Sequence, residues 1–172
     1  MIPTKIYLLH DNRMALHHPL PALQDNHRDL ETEDAAPFEN GDRIFAIYNK
    51  LLNLERRLLI ENKWGFSNQD TGRRFLEIEC APVSRETAEL VHSPEHFDAM
   101  RETQFMSETE LRDMAIPDDV YFNHFTFLAA SLACGGVVQC VDAVTDYNAE
   151  SRRAIAVVRP PGHHACQEEA MG

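Results

Sequence analysis

Three short segments of the chain predict β-strands from their pattern of apolar and polar positions. Residues 5–9 form a largely apolar run, and residues 75–80 place an apolar side chain at every second position, as in a strand with one buried face. Residues 154–158 (Ala-Ile-Ala-Val-Val) are apolar throughout. Such a run is typical of a parallel strand that is buried on both faces.

Helical spacing of apolar residues and residues that favour helix starts predict the helices. Apolar residues recur every three or four positions over 42–59, which indicates an amphipathic helix. Ser93 and the proline after it mark a second helix start, because serine caps a helix and proline fits its first turn. An apolar segment rich in alanine and glycine predicts a helix over 123–145, packed closely on a sheet and capped by Asp118 or Asp119. Shorter helical segments are expected over 84–91 and 107–113.

Strands and helices alternate along the chain, and the segments between them are polar. Residues 10–40 are predicted to form a long loop and residues 64–74 a connection. The alternation favours an α/β fold, with a mainly parallel β-sheet flanked by helices. In such sheets ligands bind beyond the carboxyl ends of the strands, so the residues that follow strand 154–158 are a candidate site.

The composition is that of an ordinary globular protein with one strong bias in charge. The chain has 172 residues, 44% hydrophobic and 26% charged, which is enough for one domain with a sizeable core. Its formal net charge of −12 argues against non-specific nucleic-acid binding and suits a basic partner. We find no secretory signal, no Cys-x-x-Cys pair and no apolar run near the length that spans a bilayer, so we expect free thiols and no membrane segment.

The segment after the last predicted strand carries the candidate chemistry. His163 and His164 directly follow Pro160-Pro161-Gly162, where the prolines fix φ and the glycine permits a backbone path closed to other residues. A rigid turn of this kind holds imidazoles in defined positions, and histidine takes and returns a proton near neutral pH. Hydrolysis of an amide needs this proton transfer together with an activated water.

Residues 156–165 (Ala-Val-Val-Arg-Pro-Pro-Gly-His-His-Ala) resemble the histidine motif of class II zinc-dependent histone deacetylases, and the overall pattern resembles the fungal members. The match is long and far more specific than a bare His-His pair. The resemblance runs from residue 6 to residue 172 and is thin over 54–74. Other segments agree in order and spacing: Leu-His-His at 16–18, Glu-Leu-Val-His-Ser-Pro-Glu-His at 89–96 and Asp-Asp-Val-Tyr-Phe-Asn at 118–123.

The resemblance implies roles for four residues of this chain. His164 would be the general base and acid, and His163 its electrostatic partner. Gly172 matches the glycine whose backbone lines the acetyl-lysine tunnel, and Arg43 matches an arginine in the family's first loop, near the inner cavity. The family's His-Pro-Glu-x-Pro-x-Arg reads Pro-Phe-Glu-Asn-Gly-Asp-Arg at 37–43, and this departure affects the loop that carries Arg43.

The family's metal ligands have no match in the sequence. Family members bind zinc through an Asp-x-His motif and a further aspartate, all after the histidine motif, so zinc is implied for the intact domain and no residue here is assigned as a ligand. Residues 25–27 spell Asp-Asn-His but precede the motif and follow no strand, so we interpret them as solvated loop. By ligand type His163, His164 and Cys166 could bind zinc, although adjacent histidines rarely chelate one ion.

Four conspicuous residues have simpler interpretations than catalysis. His92 and His96 flank a helix start, where capping or packing explains them better. Cys134 and Cys140 lie on the apolar face of helix 123–145 and are expected to be small core residues.

We therefore expect residues 1–172 to be the N-terminal portion of a single deacetylase catalytic domain with the arginase/deacetylase-like α/β fold. The resemblance implies hydrolysis of N-ε-acetyl-lysine to lysine and acetate, in transcriptional repression. It implies acetylated histone tails and corepressor complex subunits as partners, without direct nucleic-acid or membrane binding. The implied location is the nucleus, and also the cytoplasm.

Two other hypotheses stay open at this point. The chain could be a truncated, non-catalytic fragment that acts only through protein interactions, since it lacks the metal ligands. It could also belong to another arginase-like metallohydrolase acting on a small amide, although Pro-Pro-Gly-His-His favours the histone-type branch. On either view of the parent protein, we expect the 172-residue chain alone to be inactive.

Overall fold

The sheet in the computed structural model is parallel and has the N-terminal strand at its centre. Strand β1 (Ile6–His10) pairs with β2 (Phe75–Ile78) on one side and with β3 (Ala154–Val157) on the other. These are the three predicted strands, each shifted or shortened by one or two residues. The predicted parallel sheet is thereby confirmed. The structure describes residues 5–20, 40–61, 74–116 and 120–171.

The helices begin where the sequence places capping residues. Ser84, Ser93 and Ser107 each accept a hydrogen bond from a backbone N–H in the first turn of the helix that follows. The predicted amphipathic helix and the shorter helical segments are therefore confirmed. The described residues form a 3-10 helix (Asn12–Leu16) and the α-helices α1 (Asp42–Ile60), α2 (Arg85–Ala88), α3 (Pro94–Glu102), α4 (Glu108–Met114) and α5 (Thr126–Thr145).

Helix α5 lies so close to its neighbours that two positions require glycine. A methyl group on Gly135 would lie 2.1 Å from the carbonyl oxygen of Ala81, and one on Gly136 would lie 2.6 Å from Leu9 Cδ2. Carbon atoms do not approach other atoms this closely, so a side chain at either position would force its neighbours to shift, and at Gly135 these neighbours are backbone atoms of residues 81–83. The predicted close packing of this helix is confirmed.

The start of α5 differs from the prediction. The helix begins at Thr126 with Phe125 at the N-cap, so neither Asp118 nor Asp119 caps it. Both aspartates lie outside the described residues. The side chain of Asn123 orders this start instead, because its Oδ1 accepts a hydrogen bond from the Phe125 N–H (2.8 Å).

The outer face of α5 also corrects two predictions. Cys140 is buried as predicted, but Cys134 is exposed and is not a core residue. Among the described residues, α5 is the one helix that is long and apolar enough to cross a membrane, with a mean hydropathy of 1.7. The expectation that no run approaches this length was wrong. The helix packs on the sheet, and core helices of this kind meet the same criterion.

The core surrounds the central strand. Leu8 and Leu9 are both buried, and consecutive strand residues point to opposite faces, so both faces of β1 are covered. Met14 from the 3-10 helix, Ile44 from α1 and Leu132 from α5 complete this cluster. The carboxyl ends of β1 and β3 emerge from it side by side, with His10 opposite Val157.

Candidate active site

A tight turn presents the two predicted histidines at the carboxyl end of β3. The Ala165 N–H donates to the Gly162 carbonyl oxygen (3.0 Å), which closes the turn over residues 162–165, hereafter the histidine turn. Gly162 has a φ of +62°, a left-handed conformation that favours glycine. His163 and His164 are exposed, and their ring centroids lie 4.1 Å apart with a 47° tilt. The turn thus offers two imidazoles to one reacting centre.

The segment that leads into the turn is held by a buried guanidinium. Arg159 is 0% exposed, and its Nη1 donates to the carbonyl oxygens of Met14 (2.9 Å) and His17. Its Nη2 donates to the Tyr121 hydroxyl (2.9 Å), and this tyrosine ring stacks on that of His17. The arginine of the motif therefore joins β3 to the 3-10 helix and does not face the reacting centre.

Arg43 reaches the same point from α1. Its Nη2 donates to the carbonyl oxygen of Val158 (2.9 Å), directly after β3 ends. The structure thus brings Arg43 to the base of the histidine turn, although the two are far apart in the sequence. We call Arg43 and Arg159 together the upstream anchor.

A second set of contacts holds the segment that leaves the turn. The Gln167 carbonyl oxygen accepts hydrogen bonds from the backbone N–H of Ser93 (3.2 Å) and from His92 Nδ1 (3.3 Å). Next to them, the imidazole of His96 is hydrogen-bonded to the backbone of Glu168. These contacts to Gln167 and Glu168 form the downstream anchor. The sequence predicts capping or packing for His92 and His96; Ser93 is the helix cap, and the two imidazoles instead contact the segment after the turn.

A largely apolar cavity of about 440 Å³ lies beside the turn, between α3, α5 and residues 120–122. Part of its wall is formed by Pro160, Pro161, Gly162 and Ala165. On this side the turn therefore faces the cavity and has few packing contacts. The imidazole of His96 borders the cavity, and burial together with the nearby His92 lowers its pKa, although the contact with Glu168 acts in the opposite direction. These surroundings favour the uncharged form of the imidazole.

His10 is a residue near the site that the sequence argument missed. It ends β1 beside Val157, its ring stacks on Tyr48 (centroids 4.2 Å apart), and burial lowers its pKa although Asp11 opposes this. Its Nε2 is buried without a hydrogen-bond partner among the described residues. Its position in the sequence could have indicated this, because His10 directly follows the apolar residues of a parallel strand.

The described residues do not fit a zinc ion. They contain no group of three or more His, Cys, Asp or Glu side chains that could hold a metal. The Cys166 thiol donates to the His164 carbonyl oxygen (3.7 Å), and both side chains are exposed. The set of His163, His164 and Cys166 is therefore no metal site here, and no catalytic step through zinc is assigned to these residues.

The family model of the histone deacetylase domain matches residues 38–172. The chain therefore belongs to the histone deacetylase domain family. It is 32% identical over 171 residues to histone deacetylase HDA1 of Saccharomyces cerevisiae, covering 99% of this chain and 23% of that protein. It is 40% identical over 101 residues to the human polyamine deacetylase HDAC10, covering 58% of this chain and 15% of that protein.

A solved structure agrees with the family assignment. The crystal structure of the HDA15 HD domain matches with a TM-score of 0.67 and 27% identity, covering 98% of this chain and 39% of that one. The family and the deacetylase-type α/β fold expected from the sequence are confirmed. The chain spans about a fifth of the length of its curated relatives.

The predicted site residues have different outcomes. His163 and His164 lie together on the histidine turn, and Arg43 lies at its base. Their roles, and that of Gly172, stay predictions. Gly172 lies outside the described residues, as do Asp25 and His27.

Proposed function

We propose that the protein carrying this chain is a lysine deacetylase that hydrolyses N-ε-acetyl-lysine to lysine and acetate. The observation that supports this most directly is the histidine turn, which follows a parallel strand in a chain of the histone deacetylase family. Both hydrolysis of the amide and release of the amine require a group that moves a proton near neutral pH, and histidine meets this requirement.

In this proposal His164 takes a proton from the attacking water and returns it to the nitrogen of the leaving lysine. His163 stabilises the charge that develops beside it. The two ring centroids lie 4.1 Å apart, so His163 is close enough to act on charge that develops at His164.

Two further residues complete the proposed site. Arg43 would bind near the acyl end of the substrate, since its guanidinium already reaches the carboxyl end of β3. The backbone of Gly172 would line the tunnel for the lysine side chain. Zinc belongs to the proposal as the cofactor of the intact domain, where it would activate the water.

The proposed substrates are acetylated histone tails, and the proposed process is transcriptional repression. The proposed partners are corepressor complex subunits. The proposed location is the nucleus, and also the cytoplasm. The net charge of −12 supports a lysine-rich partner, because opposite charges steer association. The similarity to a polyamine deacetylase supports a second substrate class, since an acetylated polyamine is also an amide on a cationic chain.

The test uses the full-length protein that carries this chain, assayed on an acetylated histone-tail peptide and on an acetylated polyamine. We expect His164→Ala to lower kcat by a factor of about 10² to 10⁴, with unchanged metal content and unfolding free energy. His124→Ala is the control, because His124 binds the Met106 carbonyl oxygen through Nε2 (2.9 Å) and takes no part in the turn. Full activity of His164→Ala would show that His164 is not the general base. Preference for the polyamine would assign the second substrate class.

A further inference from the structure

The histidine turn depends on its two ends more than on packing beneath it. Residues 161–169 are exposed, and the backbone between Pro160 and Ala165 borders the cavity of about 440 Å³. The upstream anchor, in which Arg159 is buried and Arg43 is half-buried, holds the chain before the turn. After the turn, the chain is fixed by the downstream anchor at Gln167 and Glu168. The position of the imidazoles is therefore sensitive to the weaker, downstream end.

The downstream anchor centres on one carbonyl oxygen with two donors. Gln167 lies three residues after His164, and its oxygen accepts from the Ser93 N–H (3.2 Å) and from His92 Nδ1 (3.3 Å). Because this carbonyl is so near the turn, the two hydrogen bonds restrict the backbone that carries the imidazoles.

One of the two donors to Gln167 can be removed by a side-chain substitution and the other cannot. The Ser93 N–H is a backbone group and is kept by every residue except proline, whereas the other donor belongs to the His92 imidazole. The Ser93 hydroxyl caps α3 by accepting from the His96 N–H (3.1 Å), so the helix start does not depend on His92. The His92 and His96 rings, with centroids 5.0 Å apart, keep the donor aimed at Gln167. A substitution of His92 therefore tests the hydrogen bond to Gln167 without removing the cap of α3.

We propose that His92 is a positioning residue for the deacetylase reaction, whose Nδ1–H holds the Gln167 carbonyl oxygen and thereby fixes the location of His163 and His164. The kinetic part of this inference rests on the proposed function. Although His92 also borders the cavity, in this proposal it acts through the Gln167 carbonyl oxygen and not on the substrate, so its loss lowers kcat and leaves KM unchanged. Small displacements of catalytic groups lower rates steeply, and we expect a loss of about tenfold for one surface hydrogen bond.

The test compares three variants of the full-length protein. His92→Asn keeps a donor near the place of Nδ1, His92→Gln moves the donor to the place of Nε2, and His92→Phe keeps the ring without a donor. We expect kcat to fall about tenfold in the Gln and Phe variants and to recover to within about threefold in the Asn variant, with KM unchanged in all three. His124→Phe, which removes a histidine hydrogen bond outside the anchors, should leave kcat unchanged.

Amide hydrogen exchange tests the anchor without any assay of activity. The N–H groups of Ala165 and Cys166 donate to Gly162 and Glu169 within the segment that the anchor holds. Their exchange should be faster in His92→Phe and as slow as wild type in His92→Asn. Equal exchange, or equal kcat in the Asn and Phe variants, overturns the proposal. If the wild-type protein does not hydrolyse acetyl-lysine, the proposed function fails, and the exchange comparison alone decides the anchoring.

Discussion

The base of the histidine turn and the turn itself are adjacent in sequence but differ in how they are held. Arg159 is 0% exposed and binds two backbone carbonyl groups and a hydroxyl, whereas His163 and His164 are exposed and contact each other. Stability and chemistry are thus assigned to different residues of one loop. Substitutions at the base should lower the unfolding free energy, and we propose that substitutions of the two imidazoles lower turnover instead.

The largest effect on stability is expected at the base. Arg159→Met removes the buried guanidinium that donates to the Met14 and His17 carbonyl oxygens, which should cost about 3 kcal/mol of unfolding free energy. Denaturant-induced unfolding of the full-length protein measures this. The exposed Arg153→Met is the matched control and should stay within about 0.5 kcal/mol of wild type. A similar unfolding free energy for both variants would contradict the assignment of stability to the base of the turn.

A smaller loss of stability is expected at Gly162, where the turn requires a left-handed backbone conformation. Gly162→Ala forces a Cβ into a left-handed conformation and should cost about 1–2 kcal/mol of unfolding free energy. Asparagine tolerates this conformation better, so Gly162→Asn should cost less than Gly162→Ala. The order of the two thermal unfolding midpoints is the measurement. Equal midpoints would mean that the backbone at Gly162 is not the cause.

The smallest effect is on the pH dependence of stability. Burial lowers the pKa of His10 below 6.5, so the folded protein holds this imidazole neutral and the unfolded chain takes up the proton first. The stabilisation is complete above the unfolded pKa of about 6.5 and decreases as the pH falls through it. The unfolding free energy should therefore be lower at about pH 5.5 than at about pH 7.5, and His10→Phe should reduce this difference. The same difference in the variant would exclude His10 as its source.

The features that the sequence predicted well are local ones. The serine cap at 93, the apolar strands and the amphipathic helix each depend on residues within a few positions, and all were found. The histidine turn was predicted for the same reason, because Pro160, Pro161 and Gly162 restrict the backbone next to the two imidazoles.

The missed features are contacts between distant parts of the chain. Nothing near Arg159 predicts that its guanidinium binds the carbonyl oxygen of Met14, 145 residues earlier. The contact of His92 with Gln167, the buried Nε2 of His10 and the exposure of Cys134 likewise follow from how elements pack. The resemblance identified the histidine turn, but the anchors that hold it required the structure.

The central position of β1 also constrains how the chain folds during synthesis. β1 leaves the ribosome long before its partner β3, which lies far later in the sequence. Until residues 154–157 have been made, β1 has an unpaired edge beside Leu8 and Leu9, and parallel pairing over such a separation is slow. A nascent chain interrupted before residue 154 is therefore the form most prone to aggregate and most dependent on chaperones.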